Sequence, residues 1–324
     1  MHRVLISALF ILTTVLIGLI YLNRDLPNQA MPATLHCLNE QDGEFLGESI
    51  RFGQIYGIGL SYANHINETA SRFQLDASPP VFKKSSASLI SSQSSVIIPD
   101  EVTLLHALQP LEPGIERLLN DEDIVLQSLV DHEVELALIV LEDFTAQAMQ
   151  SETFIPKLGF TVGNDLSARS IAALGEGKEN RFDYWGVSKS FDGFLPLSKP
   201  IWRPVNESHN SIPCVELKTW VNGELRQSDN TKNLIYTPRQ MIQFILDRYQ
   251  LTSMKRGDVI LTGTPGGVIL TVPRWKARLA QMLSLNRFTK LSAVQDTANQ
   301  FLQEGDSVTV SAEWLGEITV TLNK

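Results

Sequence analysis

Short stretches of alternating apolar and polar residues recur along most of the chain, and that period of two predicts strands rather than long helices. Residues 133–141 (EVELALIVL) begin alternating and become continuously apolar, as expected of a strand buried on both faces. Residues 157–164, 258–262, 307–312 and 318–322 read as further strands. Within residues 215–226, Asn222-Gly223 between two strand-like runs predicts a hairpin. Helical signals are fewer. Thr237-Pro238-Arg239-Gln240 forms a capping box with proline at the first helical position, and Met241, Phe244, Ile245 and Tyr249 continue it as an amphipathic helix. A second helical stretch is expected over about residues 275–302.

Two segments at the start break this pattern. Residues 4–22 (VLISALFILTTVLIGLIYL) are uncharged and 19 residues long, close to the roughly 20 that cross a bilayer. Secretory signal peptides have shorter apolar cores of about 7–15 residues, so the segment reads as an uncleaved N-terminal transmembrane anchor in preference to a signal peptide. Arg3 precedes it and Arg24 follows it. The positive-inside bias then sets a single-pass protein with its globular part outside the cytoplasm. Residues 23–50 are polar, carry Pro27, Pro32 and Gly43, and read as a tether. Residues 51–324 show no further break in composition and read as one domain.

Charge narrows the function classes. The net charge is -9 and the isoelectric point about 5.2, with no local basic patch, which argues against a nucleic-acid partner. The two cysteines, Cys37 and Cys214, lack CxxC spacing, so neither a zinc nor a redox motif is expected. Two isolated cysteines more often stay unpaired, although an oxidising compartment would allow them to join.

Candidate chemistry gathers at a few positions. Glu133 and Glu135 stand two apart at the start of a strand, so they share one face. Two carboxylates entering an apolar strand repel each other and lose hydration, and a cation between them relieves both costs. All-oxygen ligands suit Mg²⁺, Mn²⁺ or Ca²⁺. An isolated E-x-E is more often an exposed strand end. Asp165, after a strand, offers a third oxygen ligand, or an ordinary helix N-cap. His65 and Glu68, spaced i, i+3, fit a general base with its orienting carboxylate, or a surface pair. Lys189 fits a cation beside an anionic substrate, or a solvated lysine. Thr262-Gly263-Thr264-Pro265-Gly266-Gly267 is a glycine-rich turn after a strand and lacks the P-loop pattern.

Seven segments, taken in order, change those odds: GIGLSYANHINE (57–68), VFKKSSASL (81–89), DHEVELALIV (131–140), GFTVGNDLSAR (159–169), SKSFDGFLPL (188–197), LTGTPGGV (261–268) and EGDSVTVSAEWLGEITVTL (304–322). From about residue 53 to the C-terminus the chain resembles the fumarylacetoacetate hydrolase family. The resemblance implies an α+β fold, a mixed β-sandwich roll of the family's C-terminal-domain type, usually homodimeric. It implies Mg²⁺ or Mn²⁺ held by Glu133, Glu135 and Asp165, catalytic roles for His65, Glu68 and Lys189, and substrate contacts from Arg169 and Thr264. The chain departs from the family pattern at Ser170 and Ala172, where Asp and Gln are usual, and at Ser188, where Gly is usual. It also carries a helical insertion at about residues 272–302.

The implied function is metal-dependent hydrolysis of a C–C bond in an acylpyruvate or related 2-oxo or 1,3-dicarbonyl acid. Decarboxylation of oxaloacetate or isomerisation of an oxo acid is the alternative on the same site. A non-catalytic, membrane-tethered binding domain is the second alternative.

Overall fold

The strand predicted from the continuous apolar run, Val134–Val140, is the middle of a seven-stranded mixed sheet. The computed structural model that shows this describes residues 33–68, 78–91, 95–271, 279–280 and 282–324, without the side chains of Asn67 and Glu68. Leu158–Asn164 and Val259–Leu261 flank the middle strand, both antiparallel to it. Ile55–Ile58 then pairs parallel to Val259–Leu261, and Val81–Lys84 closes that edge. A five-stranded sheet lies beside it, in the order Glu224–Asn230, Glu216–Val221, Ser307–Ala312, Gly316–Asn323, Ser95–Ile97.

One core joins the two sheets. Val134, Leu136, Leu138, Val162 and Ile260 of the larger sheet are buried with Leu217, Val310, Ala312 and Ile318 of the smaller. The opposite face of the middle strand, through Ala137 and Ile139, packs on Leu195, Leu197, Val259 and Leu261. Burial on both faces explains why this strand reads as unbroken apolar sequence. The helices Glu101–Leu108, Ile115–Asp121 and Arg169–Gly175 cover the outer face of the smaller sheet, where Val308, Val320 and Leu322 lie.

Two local predictions hold in detail. Asn222 and Gly223 both take positive φ, 53° and 80°, and join Glu216–Val221 to Glu224–Asn230 in register Val221↔Glu224. Thr237 caps Pro238–Tyr249: its side chain accepts from the Gln240 N–H, and the Gln240 side chain accepts in return from the Thr237 N–H at 2.9 Å.

Three expectations are corrected, and a fourth falls outside the described residues. The tether is shorter than read, because His36–Leu38 pairs parallel with Ser211–Pro213 and Gly43–Phe45 adds to the edge of the seven-stranded sheet. These strands are only three residues long, too short to show periodicity. The cysteines do not stay unpaired: Cys37 and Cys214 form a disulfide across a Cα–Cα distance of 5.1 Å. The insertion is not one helix among its described residues. Ser284 takes φ 49°, and Asn286 then caps a new helix, Arg287–Gln295. Finally, the proposed anchor over residues 4–22 lies outside the described residues. Among those described, no helix is long and apolar enough to cross a membrane; the longest, Pro238–Tyr249, has 12 residues against the roughly 20 required.

The disulfide closes a loop with a sequence separation of 177, and loop-closure entropy puts its contribution at up to about 5 kcal/mol. Urea unfolding with and without a reducing agent is expected to show a clear fall in midpoint on reduction. The denatured, unreduced chain is expected to release no free thiol to a colorimetric reagent; two thiols per chain there would overturn the pairing.

Candidate metal and catalytic site

The sheet brings three carboxylates together at one end of two strands. Glu133 and Glu135 flank Val134, the first residue of the middle strand. Its antiparallel neighbour ends at Asn164, opposite Val134, so the next residue, Asp165, arrives beside Glu133. The Asp165 N–H donates to the Glu133 carbonyl at 2.8 Å. The Asn164 side-chain oxygen accepts from the Glu133 N–H at 3.0 Å. Glu133, Glu135 and Asp165 are all buried, and each offers an oxygen within 4.8 Å of the others.

Three cations share the cluster. The Lys189 ammonium donates to Glu133 Oε2 at 2.5 Å and Asp165 Oδ2 at 2.6 Å. Lys84, fully buried, donates to the other Asp165 oxygen and to the Phe194 carbonyl at 3.0 Å. Arg169 spans two carboxylates, donating from Nε to Asp131 Oδ2 at 2.7 Å and from a terminal nitrogen to Glu133 Oε1 at 2.5 Å. Asp131 also accepts from the Ile269 and Leu270 N–H groups at 2.9 and 3.1 Å, which ties the glycine-rich loop to Arg169. Asp165 is therefore not a helix N-cap: its carboxylate is spent on lysines.

The electrostatics separate the carboxylates. Burial pushes the Glu133 carboxyl up, but Lys189 and Arg169 outweigh it and hold the group below the usual range. Glu135 lacks such partners. Burial first, then Asp165 and Glu133, raise its carboxyl well above the usual range, against the opposing pull of Lys189 and of the Gly263 N–H at 2.7 Å. Burial lowers Lys84 despite its bond to Asp165. Four carboxylates (Asp131, Glu133, Glu135, Asp165) face three cations (Lys84, Arg169, Lys189), so the fully ionised cluster carries one excess negative charge. An all-oxygen donor set with unbalanced negative charge fits a hard divalent cation such as Mg²⁺ or Mn²⁺.

His65 lies in the short helix Ala63–Glu68 and is 8% exposed. Burial is the main influence on its imidazole and lowers it to about 4; Glu133 pulls it up, while Arg169 and Lys189 push it down. The imidazole is thus neutral at pH 7 and within electrostatic range of the triad. Glu68 ends the same helix, and its side chain lies outside the description. The glycine-rich loop follows Val259–Leu261. Gly263 takes φ 90°, and a Cβ there would meet Ser61 Oγ at 2.1 Å and the Ile58 carbonyl at 2.6 Å. Only glycine allows this loop to lie so close, with its N–H on Glu135. The next residue, Thr264, is buried at 4% exposure.

Three cluster residues escaped the sequence reading. Asp131 immediately precedes the E-x-E pair, a weak signal. Lys84 ends the strand VFKK on the same face as the buried Phe82, so alternation marks it as inward-facing. Gln227 is the one buried residue of Glu224–Asn230, and nothing in its sequence context marks it. At the positions that depart from the family pattern, Ser170 is buried with its hydroxyl 3.4 Å from the Ser128 carbonyl, and Ala172 offers no polar group.

The buried triad of Glu133, Glu135 and Asp165 at the end of a mixed sheet is consistent with a divalent-cation site. The chain belongs to the fumarylacetoacetate hydrolase family: the family model for the fumarylacetoacetate (FAA) hydrolase C-terminal region matches residues 54–323. Among curated relatives, the mitochondrial oxaloacetate tautomerase of Bos taurus is 28% identical over 242 residues, which cover 74% of this chain and 64% of that protein. The chain thus spans less than two thirds of that relative's length. An uncharacterized protein of Methanocaldococcus jannaschii is 26% identical over 235 residues, covering 72% and 81%. The fold resembles the fumarylpyruvate hydrolase of Pseudomonas aeruginosa, solved with Mn²⁺ and pyruvate, with TM-score 0.57 and 17% identity over 93% and 99% of the two chains. It also resembles 5-carboxymethyl-2-hydroxymuconate delta-isomerase of Mycobacterium smegmatis, with TM-score 0.52 and 23% identity over 85% and 80%. These names span a tautomerase, a hydrolase and an isomerase, so family membership leaves the reaction open. The single-pass, extracytoplasmic placement expected from residues 4–22 is corrected: the bovine relative is named as mitochondrial, and the described helices include none able to cross a membrane.

Proposed function

We propose that the chain is a divalent-cation-dependent hydrolase that cleaves a C–C bond in an acylpyruvate or related 2-oxo acid, working as a homodimer. The observation that carries this reading is the neutral, buried His65 imidazole held in electrostatic range of Glu133, Arg169 and Lys189, because cleavage by water requires a base. Mg²⁺ or Mn²⁺ held by Glu133, Glu135 and Asp165 would act as a Lewis acid toward the oxo group. Arg169, oriented by Asp131, and Thr264 hold the substrate carboxylate. His65, oriented by Glu68, takes a proton from water as the water oxygen bonds to the distal carbonyl carbon. The C–C bond then breaks, its electron pair passes to the enolate of the 2-oxo acid, and the distal fragment leaves as a carboxylic acid. Lys189 stabilises the negative charge as it develops, and the proton held by His65 returns to the enolate carbon. An intact charge cluster in a family of enzymes argues against a non-catalytic binding domain.

The 28% identity to an oxaloacetate tautomerase favours one second reading, enol–keto conversion of oxaloacetate. There His65 would move a proton between carbon and oxygen without water attack. A panel of acylpyruvates and oxaloacetate, assayed with Mn²⁺ and with a chelator, tests both. Equimolar release of pyruvate and a second acid, lost with chelator, supports hydrolysis. Rapid decay of the oxaloacetate enol signal without acylpyruvate cleavage overturns hydrolysis in favour of tautomerisation.

His65→Ala is expected to lower kcat by about 10²–10⁴-fold while Mn²⁺ binding persists; a kcat within threefold of wild type removes His65 from the mechanism. The pH profile follows the sign of its shift. A base with a lowered pKa stays unprotonated down to about pH 4, so kcat/KM should hold through pH 6.5 and fall only below about 5. An acid limb centred near 6.5 contradicts the burial of this imidazole.

A further inference from the structure

Gln227 sits at a crossing of hydrogen bonds that nothing above has used. Its side-chain oxygen accepts from the Val134 N–H at 3.1 Å, the Thr219 hydroxyl at 2.8 Å and, at 3.1 Å, His132 Nδ1. Its amide nitrogen donates to Thr264 Oγ1 at 2.8 Å and to the Pro265 carbonyl at 3.1 Å. The two ends of a glutamine amide are easily interchanged in a structure, but here the partners decide. The Val134 N–H can only donate, so it faces oxygen; the Pro265 carbonyl can only accept, so it faces nitrogen. The reverse orientation would oppose donor to donor and acceptor to acceptor, in a side chain 1% exposed.

This orientation constrains Thr264. Its oxygen accepts from Gln227, so its own hydroxyl proton remains to be given, and no described residue accepts it. Thr264 directly follows Gly263, whose N–H is on Glu135, so the hydroxyl belongs to the loop that touches the triad. Gln227 also holds the Val134 N–H, on the residue between Glu133 and Glu135. One buried amide therefore turns the threonine hydroxyl proton away from itself and ties the threonine's loop to the ligand strand.

We propose that Gln227 is a positioning residue: it makes Thr264 an obligate hydrogen-bond donor to a carboxylate oxygen of the substrate. The proposal rests on the reading that this site binds an oxo acid beside a divalent cation. In Gln227→Glu the end facing Thr264 becomes an acceptor, so the threonine turns its proton to the new carboxylate and withdraws it from the ligand.

Titration calorimetry of the full chain tests this, first with Mn²⁺ alone and then with oxalate on the Mn²⁺-loaded protein. Gln227→Glu and Thr264→Val are each expected to weaken oxalate about tenfold while leaving the Mn²⁺ affinity within about twofold of wild type. The double variant should be no weaker than either single one, since both remove the same donor. Thr264→Ser, which keeps the hydroxyl, should retain wild-type oxalate affinity and lose it again when combined with Gln227→Glu. If Gln227→Glu does not fold, Gln227→Met removes the amide without adding charge, and a several-fold loss of oxalate affinity alone is expected. Equal losses of Mn²⁺ and oxalate, unchanged oxalate binding, or multiplying effects in the double variant overturn the role. Failure of the wild-type protein to bind Mn²⁺ is a separate result, and it overturns the metal-dependent reading beneath this one.

Discussion

A protein carrying Glu135→Gln is expected to lose divalent-cation binding and turnover while its metal-free fold becomes no less stable. Loss of outer-shell partners alone costs about 10–100-fold in metal affinity, so loss of a ligand's charge should exceed about a hundredfold. The stability half follows from the electrostatics. Burial, Asp165 and Glu133 hold the Glu135 carboxyl well above its usual range. A group whose pKa rises on folding stabilises the folded state below its unfolded pKa, and that contribution is lost as pH rises through the folded pKa. Near neutrality Glu135 is therefore a cost to the metal-free protein, and an uncharged isostere removes it. Thermal melts with and without Mn²⁺, read beside calorimetry, check the prediction. The wild type should gain melting temperature on adding Mn²⁺, and the variant should not. A variant that still binds Mn²⁺ within tenfold of wild type would remove Glu135 from the ligand set.

Lys189→Met is expected to act in the opposite sense on the metal-free protein. It leaves Glu133 and Asp165 facing each other without the ammonium that joins them. Breaking a buried ion pair from one side costs about 3–5 kcal/mol. The pH dependence should shift as well. With the ammonium gone, the strongest influence that lowers the Glu133 carboxyl is lost and burial pushes it up, so the variant should lose less stability at pH 5 than at pH 7. Saturating Mn²⁺ should restore part of the lost stability at pH 7 by replacing the missing positive charge. Urea unfolding at the two pH values checks this, and a loss below about 1 kcal/mol would mean that Lys189 contributes little to holding the triad. The sequence reading gave this lysine to the substrate's developing charge; the structure gives it a prior task, clamping two of the three ligands.

What the sequence disclosed and what it hid follow from the range of the forces involved. The middle strand was legible because burial on both faces writes itself as an apolar run. The Asn222-Gly223 turn and the Thr237 cap were legible because positive φ and end-capping each demand particular residues within a few positions. Glu133, Glu135 and Asp165 were ambiguous one by one, since an isolated carboxylate usually belongs to the surface; the order of the motifs around them resolved it. The hidden features depend on partners far away in the chain. Gln227 meets Val134 from 93 residues away, and Asp131 meets Leu270 from 139. The disulfide joins two unremarkable positions, and the strands beside it draw on that bond and on edge pairing instead of a periodic apolar face. Among its described residues, the insertion departs from a single helix because the chain turns at Ser284, φ 49°, inside a stretch whose composition favours helix.

The Cys37–Cys214 bond also has a topological consequence. It turns residues 37–214 into a covalent ring, and His65, Lys84, Asp131, Glu133, Glu135, Asp165, Arg169 and Lys189 all belong to the ring, while Gln227 and Thr264 belong to the tail that leaves it. A protease that cuts the ring once opens a circle and releases nothing, so the whole charged assembly stays on one connected piece. A cut between Cys214 and Thr264 leaves no covalent link between the ring and the threonine loop. The chain thereby divides its site into a part that survives a single nick and a part that does not.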